Sequence, residues 1–139
     1  MVREQGVGVM PLKIKERQYM KMQRLGTVQI NSSVFVAFYN ENMKAIDFFY
    51  KNEKKNDVEC WTLTLNTVKR VFRKAIRNEK DFKKHFRPVF ALLFSKETAL
   101  EENFNLQVFP MQMWYDCVER DFKGYELQPM KATEIESEE

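Results

Sequence analysis

The run VECWTLTL, from Val58 to Leu65, limits what this chain can fold into more than any other stretch. Trp61, Leu63 and Leu65 alternate with Thr62 and Thr64. That period of two sets one side of a strand on a core and the other toward polar surroundings, in residues that favour extended backbone. The run passes straight into Asn66 and Thr67, residue types whose side chains accept backbone N–H bonds at a helix start. A strand feeding a helix is therefore expected in the middle of the chain.

The segment beyond that junction carries the charge. Between residues 67 and 87 stand nine cations, Lys69, Arg70, Arg73, Lys74, Arg77, Lys80, Lys83, Lys84 and Arg87, against Glu79 and Asp81. The local balance of +7 exceeds the +3 of the whole chain. Val68, Val71, Phe72, Ala75 and Ile76 fall on one helical face and most cations on the other, which predicts an amphipathic helix over 67–77. Phe82 and Phe86 continue at i, i+4 in a less regular basic extension. Pro88 suits the first position of a new helix, traced by Val89, Leu92, Leu93, Lys96 and Leu100 toward residue 103.

Upstream, Leu12, Tyr19, Met22 and Leu25 share a face and Gly26 suits a helix end, so residues 11–25 read as a short helix, with LKIK as a competing strand. GTVQIN is short and β-prone. Phe35, Phe38, Tyr39, Met43, Ile46, Phe49 and Tyr50 recur at spacings of three and four, which predicts a helix over 33–51 capped by Asn31, Ser32 or Ser33. A hairpin turning at residues 40–42 competes, because VFVAFY favours strand. Lys51 to Asp57, KNEKKND, is a charged loop. Downstream, FNLQVF alternates as a strand. Met111, Trp114, Tyr115, Val118 and Phe122 then restore a helical face that closes at Gly124.

Together these elements predict one α+β domain over residues 11–125, with about four or five helices and two or three short strands. Residues 1–10 form an N-terminal extension and 126–139 a disordered acidic tail. A mostly helical fold is the alternative. A chain of 139 residues can bury a core without metal or disulfide support. Its two cysteines, Cys60 and Cys117, belong to no CxxC unit and read as reduced core thiols. The N-terminal stretch lacks the apolar run of a signal peptide, and no stretch reaches the length of a membrane span, so a cytoplasmic protein is expected.

Chemistry is sparsely signalled. His85 stands alone among lysines, with no partner at ligand or catalytic spacing. Asp57 and Glu59 form a DxE pair that a strand would point to one side, the arrangement by which two carboxylates share a divalent metal. Asp116 and Glu119 lie one helical turn apart and read as a solvated face. No glycine-rich phosphate loop and no nucleophile elbow is present, so neither a catalytic residue, a metal, a cofactor nor a small-molecule substrate is expected, with a metal-dependent nuclease through Asp57 and Glu59 as the minority alternative.

The basic stretch is the feature that points to a partner. Acids are missing from residues 67–78, four of the nine cations are arginines that can fork onto phosphate oxygens, and the helix start at Thr67 offers amides for a further contact. The expected function is binding of DNA or RNA, without enzymatic activity, through Lys69, Arg70, Arg73, Lys74, Arg77, Lys80, Lys83 and Lys84. From Pro88 onward eleven acids face four bases, a balance of −7. The alternative is therefore a protein-interaction module whose oppositely charged halves meet a partner or another copy. A membrane surface ranks behind both, because the apolar side of the basic helix is modest.

Overall fold

The computed structural model describes residues 21–95 and 102–123. Five strands, β1 (Met22–Ile30), β2 (Ser33–Asn40), β3 (Ala45–Asn52), β4 (Asp57–Thr64) and β5 (Asn105–Pro110), form one antiparallel sheet in the order β1-β2-β3-β4-β5. The short helices α1 (Leu65–Val71), α2 (Glu79–Lys84) and α3 (Phe86–Phe94) lie between β4 and β5 along the chain, and a π-helical turn, Trp114–Val118, comes after β5. The chain is mostly sheet. That corrects both the expected four or five helices with two or three strands and the mostly helical alternative.

The largest single correction falls on residues 33–51, where β2, a turn and β3 replace the expected helix. Phe35 through Asn40 are all buried, as are Ala45 through Phe49. Phe48 packs on one side of the sheet and its neighbour Phe49 on the other. A strand covered on both faces carries apolar residues at consecutive positions, so its alternation disappears and spacings of three and four arise from crowding alone. The competing hairpin is what forms.

Its loop is built from asparagine chemistry. Asn40 Oδ1 accepts from the Met43 amide at 3.2 Å, and Lys44 closes the loop in the left-handed region at φ 50°. The next hairpin repeats the device: Asn52 Oδ1 accepts from the Lys55 amide at 3.1 Å and Asn56 closes at φ 56°. In each loop the asparagine side chain substitutes for a backbone acceptor and fixes where the strands reverse. The charged loop expected between β3 and β4 is thus a four-residue turn over 53–56, and the strand expected at Val58 is β4.

Gly26 has a different role from the expected helix stop. It sits inside β1 at φ 141°, where the register with β2 slips between Arg24 and Gly26. The flanking residues Met22–Leu25 are strand rather than helix. The rest of the expected helix, the 1–10 extension, residues 96–101 of the helix traced toward residue 103 and the 126–139 tail lie outside the described residues.

The two sheet faces have separate cores. On the first, Phe35, Tyr39, Ile46, Phe48 and Leu63 meet Val68, Phe82, Phe86, Val89, Phe90 and Leu93 from the helices. Phe90 is stacked on Phe48 with centroids 3.9 Å apart and planes at 19°. On the second, Val36, Phe38, Phe49, Val58 and Cys60 meet Phe109, Met113, Cys117, Val118 and Phe122. The segment after β5 is wound more widely than the expected α-helix. Glu119 N–H bonds Trp114 O at 2.9 Å and Phe122 N–H bonds Cys117 O at 2.8 Å, both five residues back. This winding turns Cys117 and Phe122 onto the sheet and leaves Tyr115 exposed.

Cys60 and Cys117 are both buried, and neither is in a disulfide. Burial, and after it the nearby Asp116 carboxylate, pushes the Cys117 thiol up to about 12, with Arg120 opposing. The folded chain therefore holds this proton more tightly than the unfolded chain. The associated stability is complete below the unfolded value of 9.0 and is lost as pH rises toward about 12. In the native protein at pH 8, iodoacetamide is expected to leave Cys117 unmodified by mass spectrometry, with rapid labelling once urea is added.

Candidate nucleic-acid interface

β4 delivers the chain into α1 through Thr64. Thr64 Oγ1 accepts from the Thr67 amide at 3.2 Å, and the Leu65 amide donates to Lys44 O at 2.9 Å. The N-cap is therefore Thr64 rather than Asn66 or Thr67. The Thr67 amide donates to Thr64, which removes it from the expected phosphate contact, while the Thr67 hydroxyl accepts from Thr64 Oγ1 and keeps its own proton to donate.

The expected helix over 67–77 stops at Val71. Phe72 closes it, donating to Val68 O at 2.8 Å, and the Ala75 and Ile76 amides turn back to Phe72 O at 3.1 and 2.9 Å. Continuing as a helix would stack Lys69 on Arg73, Arg70 on Lys74 and Arg73 on Arg77. Each such like-charge pair at i, i+4 costs about 0.2–0.5 kcal/mol, and the turn lets the cations spread. Val68 and Ile76 still reach the core, but Val71 is 42% exposed and Ala75 is exposed, so only part of the expected apolar face points inward.

α2 starts at Asn78, whose Oδ1 accepts from the Asp81 amide at 2.9 Å, while Asp81 Oδ2 accepts from the Arg77 amide at 3.0 Å. One of the two acids of the segment is thereby committed to a backbone N–H bond. The other, Glu79, lies beside Tyr39. The Tyr39 hydroxyl is buried without a hydrogen bond of ordinary geometry, and burial, then the Glu79 carboxylate, hold its phenol above the usual range. His85, at φ −109° and ψ 23°, separates α2 from α3 without capping through its side chain. Pro88 is the third residue of α3, not the first, still within the turn where a missing N–H costs no helical bond.

The predicted contact residues are distributed over this layer. Lys69 and Arg70 are on α1, Arg73 and Lys74 in the turn after it, Arg77 just before the α2 cap, and Lys80, Lys83 and Lys84 on α2. Lys83 is half-buried and the other seven are exposed. Among the described residues the ion pairs are Lys21–Glu41, Arg24–Asp121 and Lys51–Glu53, none of which includes a cation of this layer. Within the acidic half, the segment with Asp116, Glu119 and Asp121 packs through Met113, Cys117, Val118 and Phe122 on the opposite sheet face, while the exposed Glu102 stands close in sequence to Phe104 of the first core. Asp121 is paired there with Arg24 at 3.2 Å.

Sequence reasoning counted Arg87 in the charge but left it out of the expected contacts. Its Nε donates to Thr27 O on β1 at 2.7 Å, and its guanidinium carbon lies 4.6 Å from the Phe86 ring centroid. Lys83 is held on the same strand, with Nζ 3.3 Å from Gln23 Oε1 and 5.0 Å from the Tyr39 ring centroid. The one hint in the sequence is that Lys83 and Arg87 are four residues apart. Their common seat on β1 is a tertiary pairing.

Asp57 and Glu59 stand on the Trp61 side of β4. Glu59 accepts from Trp61 Nε1 and from Asn52 Nδ2, both at 3.1 Å, so both its oxygens are engaged. Asp57 Oδ1 is buried without a partner, and burial, then Glu59, raise the Asp57 carboxyl against the opposing Lys55. No group of three or more potential ligands forms among the described residues. No helix among them is long and apolar enough to cross a membrane. Comparison of the chain with models of protein families, with curated proteins and with solved structures gives no match.

Proposed function

We propose that this chain is a non-enzymatic nucleic-acid-binding protein that holds a phosphate backbone on its helical layer. The contacts come from Lys69, Arg70, Arg73, Lys74, Arg77, Lys80, Lys83 and Lys84. The observation that carries this reading is a strongly cationic layer, nine cations against Glu79 and Asp81, with no carboxylate within ion-pair distance of its cations among the described residues. Such a layer releases counterions from phosphates and needs no base-specific groups. The aromatic residues near it support backbone over base recognition. Phe82 and Phe86 are buried, and Phe72 and Trp61 are partly buried against the same core, which leaves these rings little free surface for stacking. A cytoplasmic site of action suits two buried thiols outside any disulfide.

A protein partner meeting oppositely charged halves is the second reading. It rests on the charge balance of the sequence, since the described segment after β5 carries Asp116, Glu119 and Asp121 against Arg120 and Lys123.

Fluorescence anisotropy with labelled duplex and single-stranded probes of DNA and RNA tests the first reading. If about six cations neutralise phosphates, affinity for a duplex is expected to fall about a thousandfold between roughly 50 and 200 mM salt. Unrelated sequences should bind alike. Absence of binding to every probe at low salt rejects the reading, and a dimer that dissociates with salt in light scattering would favour the second.

A further inference from the structure

We propose that Arg87, supported by Lys83, is the anchor that sets the register of the phosphate backbone along the β1 edge of the helical layer. The inference rests on the phosphate reading and adds a residue outside the expected contacts, together with the strand that holds it.

β1 is an outer strand of the sheet, and it is interrupted by the register slip between Arg24 and Gly26. Just beyond the slip, Thr27 O accepts from Arg87 Nε on α3 at 2.7 Å. Gly26 makes room for this. A Cβ at that position would stand 2.6 Å from Arg87 Nη2 and 3.5 Å from Phe86, and the φ of 141° is one that L side chains rarely adopt. The guanidinium is thus held from three sides, by a carbonyl, by an open glycine surface and by the Phe86 ring 4.6 Å away.

A guanidinium has five N–H donors, and Arg87 spends the Nε one on Thr27. The two Nη groups keep the fork that matches two oxygens of a phosphate. Arg87 is exposed and forms no ion pair among the described residues. Four residues earlier, Lys83 is placed by Gln23 on the other side of the slip. Two cations are therefore fixed on one strand edge, while Lys69, Arg70, Arg73, Lys74, Arg77, Lys80 and Lys84 have no side-chain hydrogen bond within the described chain. An arginine that is already seated loses less rotamer freedom on binding a phosphate than one exposed on a turn without a side-chain hydrogen bond. Arg87 should therefore contribute more than its single charge.

Replacing Arg87 by lysine separates seating from charge, with Arg73→Lys on the exposed turn as the matched comparison. Each variant is titrated with a labelled duplex across a salt series, and thermal melts check the fold. We expect R87K to bind about tenfold more weakly with the salt slope unchanged, R73K to stay within about twofold of the wild type, and Arg87→Gln to lower the slope by about one. R87K binding within twofold of the wild type, or R73K losing as much as R87K, overturns the anchor and leaves the phosphate reading standing. A wild-type chain that binds no probe at low salt overturns the phosphate reading and the anchor with it.

Discussion

Phe90→Ala is expected to destabilise the protein by about 3–5 kcal/mol, the range for emptying a phenylalanine site in a packed core. Phe90 is fully buried and is the ring on which the first core converges. It stacks on Phe48 at 3.9 Å and on Phe94 at 4.8 Å, and meets Phe35 at 4.9 Å and Phe104 at 5.7 Å edge-on. Removing it opens a gap between α3 and the centre of the sheet. The surrounding rings are held from both sides and cannot close that gap. The neighbouring Leu92 lies on the opposite side of α3 at 52% exposure, and Leu92→Ala should cost less than about 0.5 kcal/mol. Urea unfolding monitored by circular dichroism compares the two. For a slope of about 1.5–2 kcal/mol/M the Phe90 variant loses roughly 2 M in its midpoint. Equal midpoints for the two variants would contradict the seating of the helical layer on the sheet. The same loss should weaken nucleic-acid binding only under conditions where the variant unfolds, because Phe90 carries none of the charge.

How far the sequence reveals this arrangement depends on what lies above and below each strand. β4 is legible because its two sides differ: Trp61 and Leu63 face the helical core while Thr62 and Thr64 line the other side, so alternation survives. β2 and β3 are buried on both sides, their alternation is erased, and their aromatics imitate a helical stripe. The asparagines at 40 and 52 carry the better signal there, since each bonds an amide three residues on and forces the chain to reverse. Gly26 shows how one property serves two ends. A residue that tolerates positive φ suits a helix end and a strand irregularity equally, and the choice between them is made by Arg87, which arrives from about sixty residues away. The cations of the candidate surface are legible because charge is a matter of composition. Their division between exposed positions and a seat on the strand edge is not, because the acceptors Gln23 and Thr27 are far away in sequence.

Reversing Arg70, Arg73, Lys74 and Arg77 to glutamate together is expected to weaken duplex binding at low salt by more than a hundredfold. Four phosphate contacts, at about 0.9 each, account for roughly 3.6 of the slope of log affinity against log salt, and the new carboxylates add repulsion to what remains. The effect on the fold should be small. Arg70, Arg73, Lys74 and Arg77 are exposed, and the bond near Arg77 uses its backbone amide, which the substitution keeps. The main structural cost is at Arg70, a cation in the last turn of α1 whose reversal opposes the helix dipole by about 0.3–1 kcal/mol. Melting curves would reveal a larger loss. Net charge alone cannot be the cause if location matters, so Arg70→Glu/Arg73→Glu is compared with Lys54→Glu/Lys55→Glu in the β3–β4 turn, where both lysines are exposed. Each pair changes the charge by the same amount. The first pair should lose at least tenfold in affinity and about two units of slope, and the second less than threefold. Equal losses would mean that the duplex responds to total charge and that the helical layer has no privileged part in binding. A loss confined to the α1 pair assigns the backbone to the turn that ends α1, on the face of the sheet away from Asp116, Glu119 and Asp121.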